Sequence, residues 1–114
     1  LQGLYCEDAL MRNLALADCK AKRLKASGAQ MNNLSAEHCD FSHTNFSNVN
    51  LRASTLKNCN LEKADFSGCN LERANLSTCY GIDPQSLVRC KTLRYTKRSD
   101  DLAQYVKEHA PELL

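Results

Sequence analysis

The sequence holds no tryptophan, only four glycines, and no apolar run approaching the ~18 residues of a membrane span. The glycines are scattered, so no Gly-rich loop can cradle a phosphate. Neither sign of charge prevails. Residues 1–80 carry nine basic and eight acidic side chains, and residues 81–114 carry six and five. Binding to a polyanion or polycation through bulk charge is therefore not expected. The chain also lacks the periods of ordinary secondary structure. Neither the 3.6-residue beat of a helix nor the two-residue alternation of a flat strand runs through it.

What is present is a period of five. From Leu1 every fifth residue is apolar, through Cys6, Met11, Leu16, Ala21, Ala26, Met31, Ala36, Phe41, Phe46, Leu51, Leu56, Leu61, Phe66, Leu71 and Leu76. Two residues before each later centre lies a second file of small or apolar residues, from Leu4 and Ala9 to Ala74 and Cys79. Two inward residues separated by one outward residue describe a short extended stretch. The two remaining polar residues turn a corner. Four such segments make a coil of twenty residues, and coils stacked at about 4.8 Å bury each other's inner faces. Residue volumes agree with one continuous core. Small centres face large partners (Ala26 with Leu24, Ala36 with Leu34), and large centres face small ones (Met31 with Ala29, Phe46 with Thr44).

The stretch Cys39 to Thr78 carries an Asn or Asp before the centre at Asp40, Asn45, Asn50, Asn60, Asp65, Asn70 and Asn75, with Thr55 the exception. This pattern resembles the pentapeptide-repeat family, A(D/N)LXX. In the first half that column reads Tyr5, Leu10, Ala15, Lys20, Lys25, Gln30 and Ser35, while the apolar files hold their phase. The resemblance implies an all-β solenoid, a right-handed quadrilateral β-helix of about four coils over residues 1–80. Residues 81–114 are then expected to be a capping segment with a helix near 99–109. The files end at Gly81. Asp83 and Pro84 suit a short helical turn, and residues 90–98 read as a basic link. Ser99 followed by Asp100 and Asp101 suits a helix start. Ile82, Leu87, Leu93, Leu102, Tyr105 and Val106 are the expected lid, since a last coil must be covered.

Candidate chemistry is sparse. His38 and His43 fall on different corners and His109 in the tail, so no nucleophile, base and orienter are expected to meet. No catalytic residue, cofactor site or metal site is expected. Cys19, Cys39, Cys59 and Cys79 lie twenty residues apart and form an inward file, read as small buried hydrophobes in a reducing compartment. A linear file of thiols does not make the closed tetrahedron of zinc. Cys6 and Cys69 read as inward too, and Cys90 as the most exposed thiol. The surface feature that stands out is Lys20, Lys22, Arg23 and Lys25, four cations around one corner and a candidate protein-binding patch. It lacks the interleaved aromatics of a nucleic-acid site.

A rigid rod with flat faces suits protein contacts rather than small-molecule chemistry. The expected function is a non-catalytic interaction or scaffold module in the cytoplasm. The resemblance implies a domain of a larger protein, such as a bacterial effector, delivered into a host cell in some cases, or an adaptor. Leu1 falls within the first coil, so an upstream domain stacked there, or end-to-end association, is expected. The alternative that the resemblance implies is a DNA mimic that binds DNA gyrase and confers fluoroquinolone resistance. That role needs an acidic face, and the best repeats carry Arg52, Lys57, Lys63 and Arg73.

Overall fold

A computed structural model describes residues 3–114. Leu1, the first centre of the file, lies outside the described residues. A five-residue unit closes into a coil only if the chain turns after each centre, and it turns at a fixed place. The second residue after the centre takes the left-handed region at every fifth position from Asp8 to Arg73, with φ between 52° and 74°. Positive φ at the third residue of a corner is what a type II turn requires. At most corners the amide three residues after the centre reaches back across, as Thr44 N donates to Phe41 O and Val49 N to Phe46 O, both at 3.2 Å; the corners after Met11, Leu16, Ala36 and Leu56 turn without that bond.

The Asn/Asp column has a mechanical cause. Its side-chain oxygen accepts the N–H of the first corner residue: Asp40 from Ser42 (2.9 Å), Asn45 from Ser47 (2.9 Å), Asn60 from Glu62 (3.0 Å), Asn75 from Ser77 (3.0 Å). Each is an Asx-turn that satisfies an amide the corner would otherwise leave to water.

Successive coils are joined by parallel pairing at a twenty-residue offset. Three short strands make one ladder, β1 (Ala15–Ala17), β2 (Ser35–Glu37) and β3 (Thr55–Lys57), in the order β1-β2-β3. Elsewhere the pairing is by single bridges. One column runs Tyr5, Lys25, Asn45, Asp65; a second Leu10, Gln30, Asn50, Asn70; a third Lys20, Asp40, Asn60, Tyr80. The chain is thus a solenoid of stacked turns with little continuous strand. Corners interrupt each extended stretch before it can lengthen.

The inward files fill the axis. Phe41, Phe46 and Phe66 are fully buried; Phe46 stacks on Phe66 with ring centres 5.6 Å apart, and Phe41 meets Phe46 edge-on at the same distance. Two buried hydroxyls in the second file are satisfied. Thr44 Oγ1 donates to Ala21 O at 3.2 Å and Ser54 Oγ to Met31 O at 3.1 Å.

The ladder does not stop at Tyr80. Helix α1 (Pro84–Leu87), N-capped by Asp83 as expected, takes up two extra residues. Pairing then resumes at an offset of twenty-two, Asn70 with Thr92 and Asn75 with Lys97. Thr92 to Thr96 form a further corner, with Tyr95 at φ 62° and Thr96 N donating to Leu93 O at 3.1 Å. The expected link over 90–98 is therefore part of another turn. Cys90 is buried, at 5% exposure, which corrects its reading as the most exposed thiol. Helix α2 (Asp100–His109) begins at Ser99, whose hydroxyl accepts from Leu102 N. Leu87, Leu93, Leu102 and Val106 are buried over the last turn and Ile82 is half-buried. Tyr105 is only half-buried and stacks on His109, ring centres 4.0 Å apart. A 3-10 turn (Pro111–Leu113) returns to the ladder, with Leu113 O accepting from Leu93 N at 2.9 Å. It covers one open edge, a contact not expected from the sequence.

Candidate functional site

The solenoid presents its outward residues in columns twenty residues apart. Lys20 and Lys25 stand on adjoining bridge columns, and Lys22 and Arg23 form the corner between them. Lys20, Arg23 and Lys25 are exposed and Lys22 is half-buried. The structure brings the four together on one edge, but not as four free cations. Lys25 Nζ lies 4.3 Å from the centre of the Tyr5 ring and donates to its hydroxyl at 3.1 Å. Lys22 and His43 lie close enough to Asp40 to act on it. The carboxyl of Asp40 is held below its ordinary range, first by the Ser42 hydroxyl, then by the Ser42 amide, and to a lesser degree by these two groups. The Tyr5 contact was readable from the register, since residues 5 and 25 share a column.

A second basic region carries no signal in the count by fives. Tyr95 is exposed and lies between Arg73 and Arg94, whose guanidinium carbons sit 5.0 and 5.4 Å from its ring centre. Arg98 donates to Thr96 O and Oγ1, both at 2.8 Å. The two-residue shift at α1 hides this turn from the sequence period.

The histidines stay apart. His38 and His43 are exposed corner residues and His109 lies at the end of α2. Among the described residues no three His, Cys, Asp or Glu side chains converge to hold a metal ion. Gln30, Asn48, Val49, Asn50, Gly68, Asn70 and Lys91 line a shallow polar depression of about 220 Å³. Its amides pair along the ladder, as Asn50 Nδ2 donates to Gln30 Oε1 at 3.3 Å. Among the described residues no helix is long and apolar enough to cross a membrane.

The thiols are free. Cys39, Cys59, Cys69 and Cys90 are buried; Cys6, Cys19 and Cys79 are half-buried. Burial pushes Cys59 and Cys90 up to about 11 and Cys79 up to about 12. Burial thus favours the protonated thiol at neutral pH in the free chain.

A stack of five-residue turns held by parallel pairing is a repeat solenoid, and its outward columns are its only continuous feature for recognition among the described residues. The sequence matches the family model "Pentapeptide repeats" in 8 copies over residues 6–52 and 44–80. The chain belongs to the pentapeptide-repeat family. No curated protein sequence matches it. Among solved structures it is similar to QnrB1, a plasmid-mediated fluoroquinolone resistance protein, at 20% identity and TM-score 0.45, covering 90% of this chain and 61% of that one. It is also similar to HetL, a pentapeptide repeat protein involved in heterocyst differentiation regulation in the cyanobacterium Nostoc sp. strain PCC 7120. That match has 14% identity and TM-score 0.35, covering 83% and 47%. Rfr23 from the cyanobacterium Cyanothece 51142 matches at 16% identity and TM-score 0.34, covering 85% and 88%. The chain thus spans about three fifths of the QnrB1 chain. Family membership rests on the matched repeats.

Proposed function

We propose that this chain is a non-catalytic protein-interaction module, a rigid scaffold domain of the effector or adaptor kind that works in a reducing compartment. The observation that carries the reading is the alignment of outward side chains in columns around a filled apolar core. Such a body offers flat, preorganised faces, and preorganisation lowers the ordering cost of association. The four bridge columns at twenty-residue intervals support a four-sided coil of about four full turns with a partial fifth. The right hand follows from the family resemblance.

The contact surface we favour is the corner of Lys20, Lys22, Arg23 and Lys25, which suits an acidic protein surface. The edge of the first described coil is a second one. Leu4 of the inward file is 45% exposed there, and Tyr5 and Leu10, 68% and 74% exposed, flank it at the head of two outward columns, which suits stacking of a further coil, from an upstream domain or from a second copy.

The gyrase-binding reading is disfavoured by sign. Arg52, Lys57, Lys63 and Arg73 are all outward on the repeats where a duplex mimic needs rows of negative charge. Two measurements test the proposal. A partner captured by the wild-type chain should be lost on reversing Lys20, Lys22, Arg23 and Lys25 to glutamate, with the fold retained. In a supercoiling assay the chain should leave gyrase unaffected. Protection of gyrase from a fluoroquinolone would transfer the assignment to the second reading.

A further inference from the structure

The cysteine file has a geometry that neither burial nor the interaction role requires. Cys19, Cys39 and Cys59 sit on successive turns, tied rung to rung by Asp40 N to Cys19 O (2.9 Å), Asn60 N to Cys39 O (3.0 Å) and Tyr80 N to Cys59 O (3.1 Å). Their thiols share one orientation. Each makes the same weak bond to the carbonyl two residues earlier in its own turn: Cys19 to Ala17 at 3.4 Å, Cys39 to Glu37 at 3.5 Å and Cys59 to Lys57 at 3.5 Å. Identical orientation on stacked turns sets the sulfurs apart by the turn spacing, about 4.8 Å. Cys79 completes the file and points back one turn, to Leu56 O. Neighbouring thiols act on one another along the whole column, Cys19 on Cys39, Cys39 on Cys59 and Cys59 on Cys79.

That spacing selects among the things thiols do. A disulfide needs β-carbons about 3.8 Å apart and sulfurs at about 2.05 Å, so parallel side chains on neighbouring rungs are too far apart without backbone movement. Zinc needs four ligands converging on a point, and a file does not converge. Two sulfurs bridged by one ion in a straight line are separated by twice a metal–thiolate bond of about 2.3 Å, or roughly 4.6 Å. The two steps between the like-oriented thiols, Cys19 to Cys39 and Cys39 to Cys59, come close to that requirement, and Cys79, turned back toward the preceding turn, closes the file. The ions that accept two soft sulfur ligands are thiophilic, closed-shell ions of the copper(I) type. Entry is available at both ends, because Cys19 and Cys79 are half-buried while Cys39 and Cys59 are enclosed.

We propose that Cys19, Cys39, Cys59 and Cys79 form a binding column for copper(I), each ion held between the sulfurs of two neighbouring turns. Each ion displaces two thiol protons to solvent and stays in its oxidation state, so two thiols and one copper(I) give a bis-thiolate and two protons. The four sulfurs hold at most two such ions. Cys69 and Cys90 are a second buried pair on another face, close enough to act on one another but without the shared carbonyl bond that orients the file, and removing them tests whether the file alone carries the uptake.

The test is titration of the reduced full chain with copper(I), supplied anaerobically as its acetonitrile complex against a chromophoric chelator. The expected result is uptake of up to two ions per chain, a sulfur-to-copper charge-transfer band, and two sulfur neighbours per copper by X-ray absorption. The thermal midpoint of the folded chain should rise. Cys39→Ala with Cys59→Ala should abolish uptake, since the two remaining thiols are three rungs apart. If that variant fails to fold, Cys19→Ala with Cys79→Ala keeps the enclosed pair and should lower the stoichiometry from two ions to one. Cys69→Ala with Cys90→Ala should leave it unchanged. No uptake in competition with the chelator, a shell of three or four sulfurs, loss of the native fold on binding, or dependence on Cys69 and Cys90 would each overturn the proposal.

Discussion

Arg52 and Glu72, twenty residues apart in the chain, lie side by side on neighbouring turns, with Nε 2.9 Å from Oε1. Glu37 and Lys57 do the same one face along, at 3.9 Å. These contacts are what the twenty-residue register demands. They report alignment more than they hold the fold. Arg52 is about half exposed, so water and salt screen the pair. A double-mutant cycle on Arg52 and Glu72 in urea should give a coupling of ~0–1 kcal/mol. A coupling of several kcal/mol would mean that the column is not on the surface.

The core should respond in the opposite way. Phe66→Ala removes a ring that stacks on Phe46 in a narrow axis with no slack to collapse. The expected cost is ~3–5 kcal/mol. Ser67→Ala, one residue on, trims a half-buried corner hydroxyl bonded to Asp65 at 2.7 Å. It should cost about 1 kcal/mol or less. Equal denaturant midpoints for the two variants would refute the register.

The Asn/Asp column gives a comparison between two positions of one bridge column. Asn60→Ala deletes the Asx-turn oxygen that accepts from Glu62 N, and should cost ~1 kcal/mol. Lys20 occupies the equivalent position two turns earlier without such a bond, and Lys20→Ala should shift the midpoint by less than ~0.5 kcal/mol. The pair of variants separates the capping oxygen from mere occupancy of the column.

How much of this was legible follows from where the count by fives holds. The inward files and the ladder pairs were readable because a fixed period puts the same residue types in the same place. Thr92 to Thr96 was not, although Leu93 is buried like the centres from Ala21 to Leu76. Helix α1 inserts two residues, so the last turn no longer falls at multiples of five from Leu1, and Cys90 slips inside unannounced. At the basic corner the run of charge was legible and the surrounding contacts were passed over. The register that pairs residue 5 with residue 25 already placed Tyr5 beside Lys25, but charge alone drew attention to the site. The Arg73, Tyr95 and Arg94 group was invisible for the same reason as the last turn.

The thiols give a pH dependence. Cys59 and Cys79 stand above the ordinary value of 9.0, at about 11 and about 12, because burial disfavours the thiolate. In the unfolded chain they ionise near 9.0. Above that pH the folded state binds more protons than the unfolded state, so stability falls as pH rises. Their contribution is fully present below about pH 9 and is lost progressively up to about pH 11 to 12. The urea midpoint of the reduced protein should therefore drop above about pH 9, and a variant with alanine at both positions should drop less. At about pH 7, a thiol reagent should label the enclosed Cys39, Cys59, Cys69 and Cys90 only after unfolding.

Gly81 marks the point where the ladder changes offset, and it should be the least replaceable glycine. Thirteen non-glycine residues already adopt positive φ at corners, so the left-handed backbone at φ 80° does not by itself require glycine there. Space does. A β-carbon on Gly81 would lie 2.9 Å from the backbone nitrogen of Glu62 and 3.0 Å from its α-carbon, and backbone cannot swing aside as a side-chain tip does. Gly3 has the same sign of φ, 68°, and a β-carbon there would meet nothing within 4 Å. Gly3→Ala should therefore cost only the left-handed preference, about 1 kcal/mol. Gly81→Ala should cost that and the displacement of the Glu62 backbone, on the order of 2–4 kcal/mol in all. Amide exchange would locate the damage. Protection should fall at Tyr80 and Leu61, whose amides bond Cys59 O at 3.1 Å and Tyr80 O at 2.9 Å, before it falls at Thr44 or Val49 deeper in the stack. Equal midpoints for Gly3→Ala and Gly81→Ala would show that the chain leaves the ladder with more room than this close approach allows.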